Sequence, residues 1–139
     1  MKVSAKTDYA CRALLELSLH WPNPSPLRIN AIAERQKIPI KFLTHILINL
    51  KQLGYVQSIR GNKGGYILEK SPQDIKLGQI VVQLSEARIQ KPVVVKKNDL
   101  MDTIWQQVDQ NVIQMMDNID FEDLSRRFRN MEKVPMYTI

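Results

Sequence analysis

The chain has 139 residues, 44% of them apolar, and a formal net charge of +6 at pH 7. It contains no run of about 18 apolar residues and no apolar segment at its N-terminus, which excludes a transmembrane helix and a secretory signal and predicts a cytoplasmic protein with no membrane partner. The single cysteine, Cys11, excludes an internal disulfide and a cysteine-rich metal site within one chain, so we expect no cofactor.

Positive charge is concentrated in the first half of the chain. Residues 1–76 hold twelve lysines or arginines against five acidic residues, net +7, whereas residues 77–139 hold eight against nine, net −1. This asymmetry indicates that the first half contacts a polyanion and that the second half has a different role.

The first predicted helix covers residues 4–19. Apolar side chains recur along one face with the helical period, at Tyr9, Ala10, Ala13, Leu14 and Leu17. Ser4 or Thr7 is the expected N-cap. The stretch WPNPSP, residues 21–26, then predicts a loop, because proline removes backbone donors and disfavours helix in the residue before it.

Two further helices joined by a tight turn predict a helix-turn-helix. The first covers residues 29–36, and the second runs from about Pro39 to Leu53, with Gly54 as its C-terminal cap. One face of the second helix is expected to pack against the two preceding helices, through Ile40, Leu43, Leu47 and Leu50. The opposite face carries Lys41, Thr44, His45 and Ile48.

A β-hairpin is predicted directly after the helix-turn-helix. Residues 55–59 and 66–68 form its strands, and the stretch RGNKGGY, residues 60–66, forms its tip. Glycine permits positive φ and close approach of another molecule, while Arg60 and Lys63 supply charge. A hairpin in this place is a wing. The predicted fold class is therefore mainly α (α+β), a winged helix-turn-helix domain with a long C-terminal dimerisation helix.

The second half is predicted to consist mainly of helices. A short apolar helix is expected over residues 78–84, and the following Val93–Val95 fits either a short strand or a covered loop. The longest helix should begin at Asn98 or Asp99. Its apolar residues form a heptad seam, widened by Leu100, Ile104 and Met116, that consists of Met101, Trp105, Val108, Val112, Met115 and Ile119.

Dimerisation through this seam is favoured over burial within one chain, because nothing else in the sequence is long enough to cover it. Asp120 is expected to cap a last helix with the apolar face Phe121, Leu124, Phe128 and Met131. The predicted organisation is a DNA-binding domain over residues 1–86, a connecting segment over 87–98, and a dimerisation helix, short final helix and tail over 99–139.

A winged helix-turn-helix binds double-stranded DNA with its recognition helix in the major groove and its wing on the adjacent backbone or minor groove. The predicted contacts from the helix are Lys41, Thr44, His45 and Asn49, and those from the wing are Arg60 and Lys63. The alternative for the lysines is solvated surface charge, and the alternative for His45 is a helix-surface histidine without a base contact.

Three motifs in the first 86 residues, IAERQ, RGNKGGY and LGQIV, together resemble the Rrf2 family of bacterial transcription regulators. The resemblance implies homodimers on near-palindromic promoter sites, with the wing arginine in the minor groove. It places the DNA contacts at Lys41, Phe42, Thr44, His45, Arg60 and Gly61. Four residues differ from the family pattern. Phe42 stands where many relatives have tyrosine, and Lys37 stands where glycine is usual. Thr44 and His45 replace side chains that read bases in the cluster-binding relative, so the target sequence is expected to differ.

Cluster-binding members of this family carry three cysteines between the fourth helix and the long helix. Here that segment reads ARIQKPVVVKKND, so an iron-sulfur cluster held by cysteines is not expected. Any effector, a small molecule or a protein, is predicted to bind near Trp105 and Val93–Val95. Packing is the favoured role of Cys11 over redox sensing.

Two other function classes were weighed against DNA binding. A winged helix can act as a protein-protein adaptor, as in a relative that docks to a biosynthetic enzyme, and this is the alternative function. Catalysis is not expected, because His20 and His45 lie on separate elements and Cys11 has no evident base.

Overall fold

The computed structural model describes residues 3–22, 25–85 and 99–133. Within these ranges the chain forms six α-helices, one two-stranded antiparallel sheet and one 3₁₀ turn at Pro72–Asp74. The elements in chain order are α1 (Ala5–Ser18), α2 (Ile29–Gln36), α3 (Ile40–Gln52), β1 (Val56–Ile59), β2 (Gly65–Leu68), α4 (Leu77–Leu84), α5 (Leu100–Asp117) and α6 (Phe121–Lys133). The predicted winged helix-turn-helix fold class is confirmed.

Helix α1 is the central helix of the core and packs against α2, α3, α4 and α6. Ser4 caps it, because its hydroxyl oxygen accepts a hydrogen bond from the Thr7 amide at 3.2 Å. The small residues Ala10 and Ala13 are fully buried, which lets the neighbouring helices approach closely. Leu14 is also fully buried on this face, as the helical period predicts.

A buried carboxylate joins α1 to α2. Glu16 is only 5% exposed, and its Oε1 accepts a hydrogen bond from Gln36 at 3.1 Å. Its Oε2 lies 3.1 Å from Nε2 of His20 and 3.5 Å from Nη1 of Arg35. These contacts compensate the desolvation of the charge and fix the angle between the two helices.

The predicted buried face of α3 is confirmed for three of its four residues and is wrong for the fourth. Leu43, Leu47 and Leu50 are fully buried, whereas Ile40 is 48% exposed. Ile40 is the first residue of the helix, directly after Pro39, and no preceding turn of α3 covers it. The buried residue that sequence reasoning missed on this face is Ile46.

Gly54 ends α3 as predicted. Its φ of +85° reverses the chain, and the Tyr55 amide donates to the Leu50 carbonyl oxygen at 2.9 Å. This is the Schellman arrangement, in which a left-handed residue satisfies the last carbonyls of a helix. It turns the chain directly from α3 into β1.

The loop before α2 pairs with the hairpin through one isolated β-bridge. β1 pairs with β2 from Val56 opposite Leu68 to Ile59 opposite Gly65. On the outer side of β2, Leu27 and Tyr66 exchange two backbone hydrogen bonds of 3.0 and 2.8 Å. The return strand is thereby bonded on both edges.

Helix α6 returns to pack on α1. Its first residue, Phe121, is fully buried, and the preceding Asp120 caps the helix by accepting from the Asp123 amide at 2.8 Å. Arg129 donates to the Leu19 carbonyl oxygen at 3.0 Å near the other end. Met131 was predicted to lie on the apolar face of α6, but its side chain is 74% exposed. It lies in the last turn of the helix, beyond the region that α1 covers.

The predicted strand or loop at Val93–Val95 lies outside the described residues. No helix in the ranges that the structure describes is both long enough and apolar enough to cross a membrane.

Candidate nucleic-acid interface

One face of α3 presents the residues predicted to read DNA. Lys41, Phe42 and His45 are exposed, and Thr44 and Asn49 are half-buried beside them. They recur at spacings of three and four, so they form one stripe along the helix. The opposite side of α3 is anchored in the core by Leu43, Leu47 and Leu50.

The hydroxyl of Thr44 is hydrogen-bonded to the backbone of its own helix. Its Oγ1 donates to the Ile40 carbonyl oxygen at 2.9 Å, and a hydroxyl has only one hydrogen to donate. In this rotamer Thr44 can accept a hydrogen bond from an adenine or cytosine amino group, or place its methyl against a thymine methyl. It cannot donate to guanine without breaking the bond to Ile40.

The aromatic ring of Phe42 extends from the start of the recognition helix. It is 59% exposed, and its centroid lies 6.2 Å from that of Tyr9 on α1, with the ring planes inclined by 37°. This tilted pair holds one edge of Phe42 against the protein and leaves the remainder in solvent. Phe42 therefore offers apolar contact. Unlike a tyrosine at this position, it has no hydroxyl that could donate a hydrogen bond to phosphate.

The wing tip presents two exposed cations, Arg60 and Lys63. Between them, Gly61 adopts φ of +114° with open space where a side chain would be. Gly64 and Gly65 have a different role, since a Cβ at either would collide with backbone of Ile59 or of Leu27. The glycine-rich stretch therefore combines a tightly packed base with an open, positive tip.

Two contacts outside the predicted set hold the wing in position. The Arg28 guanidinium donates to the main-chain carbonyl oxygen of Asn62 at the tip. At the base, Nζ of Lys51 on α3 donates to Oγ of Ser58 on β1 at 2.8 Å. Sequence reasoning missed both, because each contact joins residues on different elements: Arg28 and Asn62 are 34 residues apart, and Lys51 lies on α3 whereas Ser58 lies on β1.

The long helix exposes most of the predicted heptad seam. Met101, Trp105, Val108 and Met115 are between 47% and 61% exposed, and Val112 is half-buried. Ile119 lies beyond the end of α5, in the turn where its carbonyl oxygen accepts from the Leu77 amide at 2.8 Å. Met116, predicted to widen the seam, is buried instead.

The cysteine content of one chain does not fit an iron-sulfur cluster held by that chain's own thiolates. Cys11 is the only cysteine, and burial, with help from the Asp8 carboxylate, raises its pKa to about 12. A thiol with such a pKa is a poor ligand at neutral pH, since metals bind the thiolate. Among the described residues, no three His, Cys, Asp or Glu side chains converge to hold a metal ion.

Comparison with known proteins identifies relatives of this arrangement. A family model described as "Rrf2: Iron-dependent Transcriptional regulator" matches residues 3–127. The putative HTH-type transcriptional regulator slr0846 of Synechocystis is 36% identical over 129 residues, covering 89% of this chain and 87% of that protein.

Two solved structures have the same fold. The IscR structure from T. potens superposes with a TM-score of 0.79 at 29% identity, covering 100% of this chain and 94% of that chain. The structure of CymR, the global cysteine regulator of B. subtilis, gives a TM-score of 0.79 at 27% identity, covering 91% and 98%.

Proposed function

The chain belongs to the Rrf2 family of transcription regulators, and we propose that it acts as a homodimer that binds a near-palindromic site in double-stranded DNA. Residues 1–86 contact DNA and residues 99–139 hold the two subunits together. The proposal depends on a single observation: α3 and the wing expose adjoining cationic surfaces, while α5 exposes a separate apolar seam.

The recognition helix is suited to the major groove. Lys41 can donate to guanine acceptors or to phosphate, His45 and Asn49 offer polar atoms to base edges, and Phe42 offers apolar contact. The wing carries Arg60 and Lys63 to the neighbouring minor groove or phosphates, with Gly61 allowing the backbone to come close. The Lys51–Ser58 hydrogen bond joins these two surfaces at the base of the wing.

The α5 seam supports dimerisation. A heptad row of large apolar side chains costs free energy when it is left in water, and each such residue contributes roughly 1.5–3 kcal/mol when fully buried. A second copy of the same helix is the partner that such a row fits. Two DNA-binding domains joined in this way would place one recognition helix at each half of a palindrome.

The regulator works without a cluster held by its own cysteines. The family model is described as iron-dependent, but this chain offers one half-buried thiol of raised pKa and no cysteine in the segment 87–98. The regulator therefore responds to its effector without an iron-sulfur cluster bound through its own cysteines.

Selection of binding sequences from random duplex DNA with the purified protein tests the proposal. We expect an enriched inverted repeat, whose binding weakens steeply with salt because cationic side chains displace condensed counterions. Lys41→Ala and Arg60→Ala should each lower the affinity for this duplex about tenfold, consistent with roughly 1–3 kcal/mol for a good contact. Lys133→Ala removes the same charge from the exposed end of α6 and serves as the control.

Failure to enrich any sequence, or an affinity that does not respond to salt, would contradict DNA binding. Equal losses from Lys41→Ala, Arg60→Ala and Lys133→Ala would show that general charge, and not the α3 and wing surface, is responsible for binding.

A further inference from the structure

A cavity of about 250 Å³ lies behind the wing. It opens to solvent on one side and is lined by the end of α1, by Trp21, Pro22 and Ser25 from the following loop, and by strand β2. Its walls include Leu17, His20, Trp21, Pro22, Tyr66 and Leu68. None of these residues belongs to the predicted DNA-contact set, and the cavity is separate from the Trp105 region where the sequence placed an effector.

The walls of this cavity suit an aromatic ligand. Leu17 and Leu68 form a buried apolar floor, and Trp21, which is 40% exposed, provides an indole side chain at the wall. A dry apolar cavity of about 150 Å³ is large enough for benzene, so the present volume corresponds to a molecule of about two fused rings. Small-molecule sites typically combine such walls with a few fixed polar groups.

His20 supplies a fixed polar group. Its Nε2 lies 3.1 Å from Oε2 of Glu16 and 3.1 Å from Nη1 of Arg35. Depending on the tautomer, Nε2 donates to the first or accepts from the second, so one of these two side chains holds the imidazole ring. Ser25 adds a hydroxyl on the loop side of the cavity. Polar groups that are already positioned lose little entropy on binding and give a ligand its orientation.

The cavity is connected to the DNA-reading wing through its own wall. Tyr66 lies on β2, the return strand of the wing, and exchanges two backbone hydrogen bonds with Leu27. The next residue, Arg28, holds the carbonyl oxygen of Asn62 at the wing tip. A ligand that displaces either the loop or Tyr66 therefore changes the position of the tip.

We propose that this cavity is an effector site for a compact two-ring aromatic molecule, and that its occupancy alters the affinity for DNA through the wing. The second part rests on the proposed function, whereas ligand binding itself does not. Because coupling between two binding sites is reciprocal, DNA must change the ligand affinity by the same factor.

Binding of 5-fluoroindole, followed by ¹⁹F NMR and calorimetry on the full chain, tests the site. We expect one molecule per chain, with affinity lowered at least tenfold by Trp21→Ala, which removes a wall. Ser25→Trp, which adds bulk from an exposed loop residue, should have the same effect and keeps the test valid if Trp21→Ala does not fold. Trp105→Phe changes the other tryptophan, on α5, and should leave binding unchanged.

Absence of binding, or loss of binding in Trp105→Phe with retention in both cavity variants, would overturn the site. The coupling is then tested by titrating the selected duplex with and without saturating 5-fluoroindole. We expect at least a threefold change in DNA affinity for the wild type and none for Ser25→Trp. If 5-fluoroindole binds and the DNA affinity does not change, the regulatory role is overturned. The titration of the duplex in the absence of 5-fluoroindole tests only the proposed function.

Discussion

The guanidinium of Arg28 donates to the main-chain carbonyl oxygen of Asn62, 34 residues further along the chain. This contact joins the residue before α2 to the tip of the wing. The wing is a two-stranded hairpin, which has marginal stability by itself in water. Its position relative to α3 is held by the buried Val56 and Leu68 at its base, by the exposed Lys51–Ser58 hydrogen bond, and by the Arg28 contact at the tip.

Replacing Arg28 by alanine should weaken DNA binding without removing a phosphate contact. A hydrogen bond at this exposed site contributes about 1 kcal/mol, which corresponds to roughly a fivefold loss of affinity. The slope of log affinity against log salt should stay at the wild-type value for Arg28→Ala and fall by about 1 for Arg60→Ala. A reduced slope for Arg28→Ala would show that Arg28 contacts DNA itself.

Lys37 stores backbone strain between α2 and α3. It adopts φ of +56° and ψ of +47°, the left-handed conformation that costs a residue with a side chain roughly 1–2 kcal/mol. Lys37→Gly should raise the free energy of unfolding by about 0.5–1 kcal/mol, because relief of strain exceeds the added flexibility of the unfolded chain. Urea denaturation measures the difference.

Lys37→Ala is the matched control, because alanine removes the same side chain and keeps the Cβ that causes the strain. We expect its stability to lie within about 0.5 kcal/mol of wild type, as for surface substitutions in general. Equal stability of Lys37→Gly and Lys37→Ala would contradict the assignment of strain to this residue.

Glu16 should contribute to stability through the α1–α2 connection. Glu16→Ala leaves Arg35 and Gln36 without their acceptor, at a cost of about 1–2 kcal/mol. The cost stays below the roughly 3–5 kcal/mol of a fully buried ion pair, since the Arg35 side chain is 51% exposed and regains water. Glu34→Ala, on the exposed face of α2, should change stability by less than about 0.5 kcal/mol in the same urea titration. A Glu16→Ala protein as stable as Glu34→Ala would contradict the role.

Cys11 should be unreactive in the native protein. Burial raises its pKa to about 12, so the thiolate is scarce at pH 8, and iodoacetamide should label native protein far more slowly than protein in urea. The raised pKa means that the folded state retains a proton which the unfolded state loses above about pH 9. The stability from this group is therefore complete below pH 9 and declines as the pH rises towards 12.

The Cys11→Ser variant separates this effect from other alkaline titrations. Its stability should decline less between pH 9 and 12 than that of wild type. Labelling of the native thiol as fast as that of the unfolded chain would contradict burial as the cause of the raised pKa.

Local sequence patterns predicted the elements and most of their ends. Gly54 and Ser4 have caps that are determined within a few residues, so both were predictable. Ile40 fits the apolar period of α3 but lies at its first position, where no neighbouring element covers it. Ile119 fits the apolar period of α5 but lies beyond the end of that helix. Periodicity identifies a face of a helix and does not report where a neighbouring element stops covering it.

Long-range contacts explain what the sequence did not reveal about the site. The Arg28–Asn62 and Leu27–Tyr66 contacts join segments whose proximity follows only from the folded core. Glu16 had a signal that was available, because it lies three residues after Ala13 on a buried face, where a carboxylate requires partners. Those partners, on α2, could be identified only in three dimensions.

The central claim is that two chains, joined through the α5 seam, bind one palindrome. The mass of the complex with the selected duplex, measured by sedimentation equilibrium, tests it most directly, together with two lysine substitutions one position apart. Val108→Lys places a charge in the seam, whereas Gln107→Lys places the same charge on an exposed position of α5 outside it.

We predict two chains per duplex for wild type and Gln107→Lys, and a monomeric Val108→Lys protein that binds a full site no more tightly than a half-site. One chain per duplex in the wild-type complex, or a Val108→Lys protein that remains dimeric with unchanged affinity, would contradict the account.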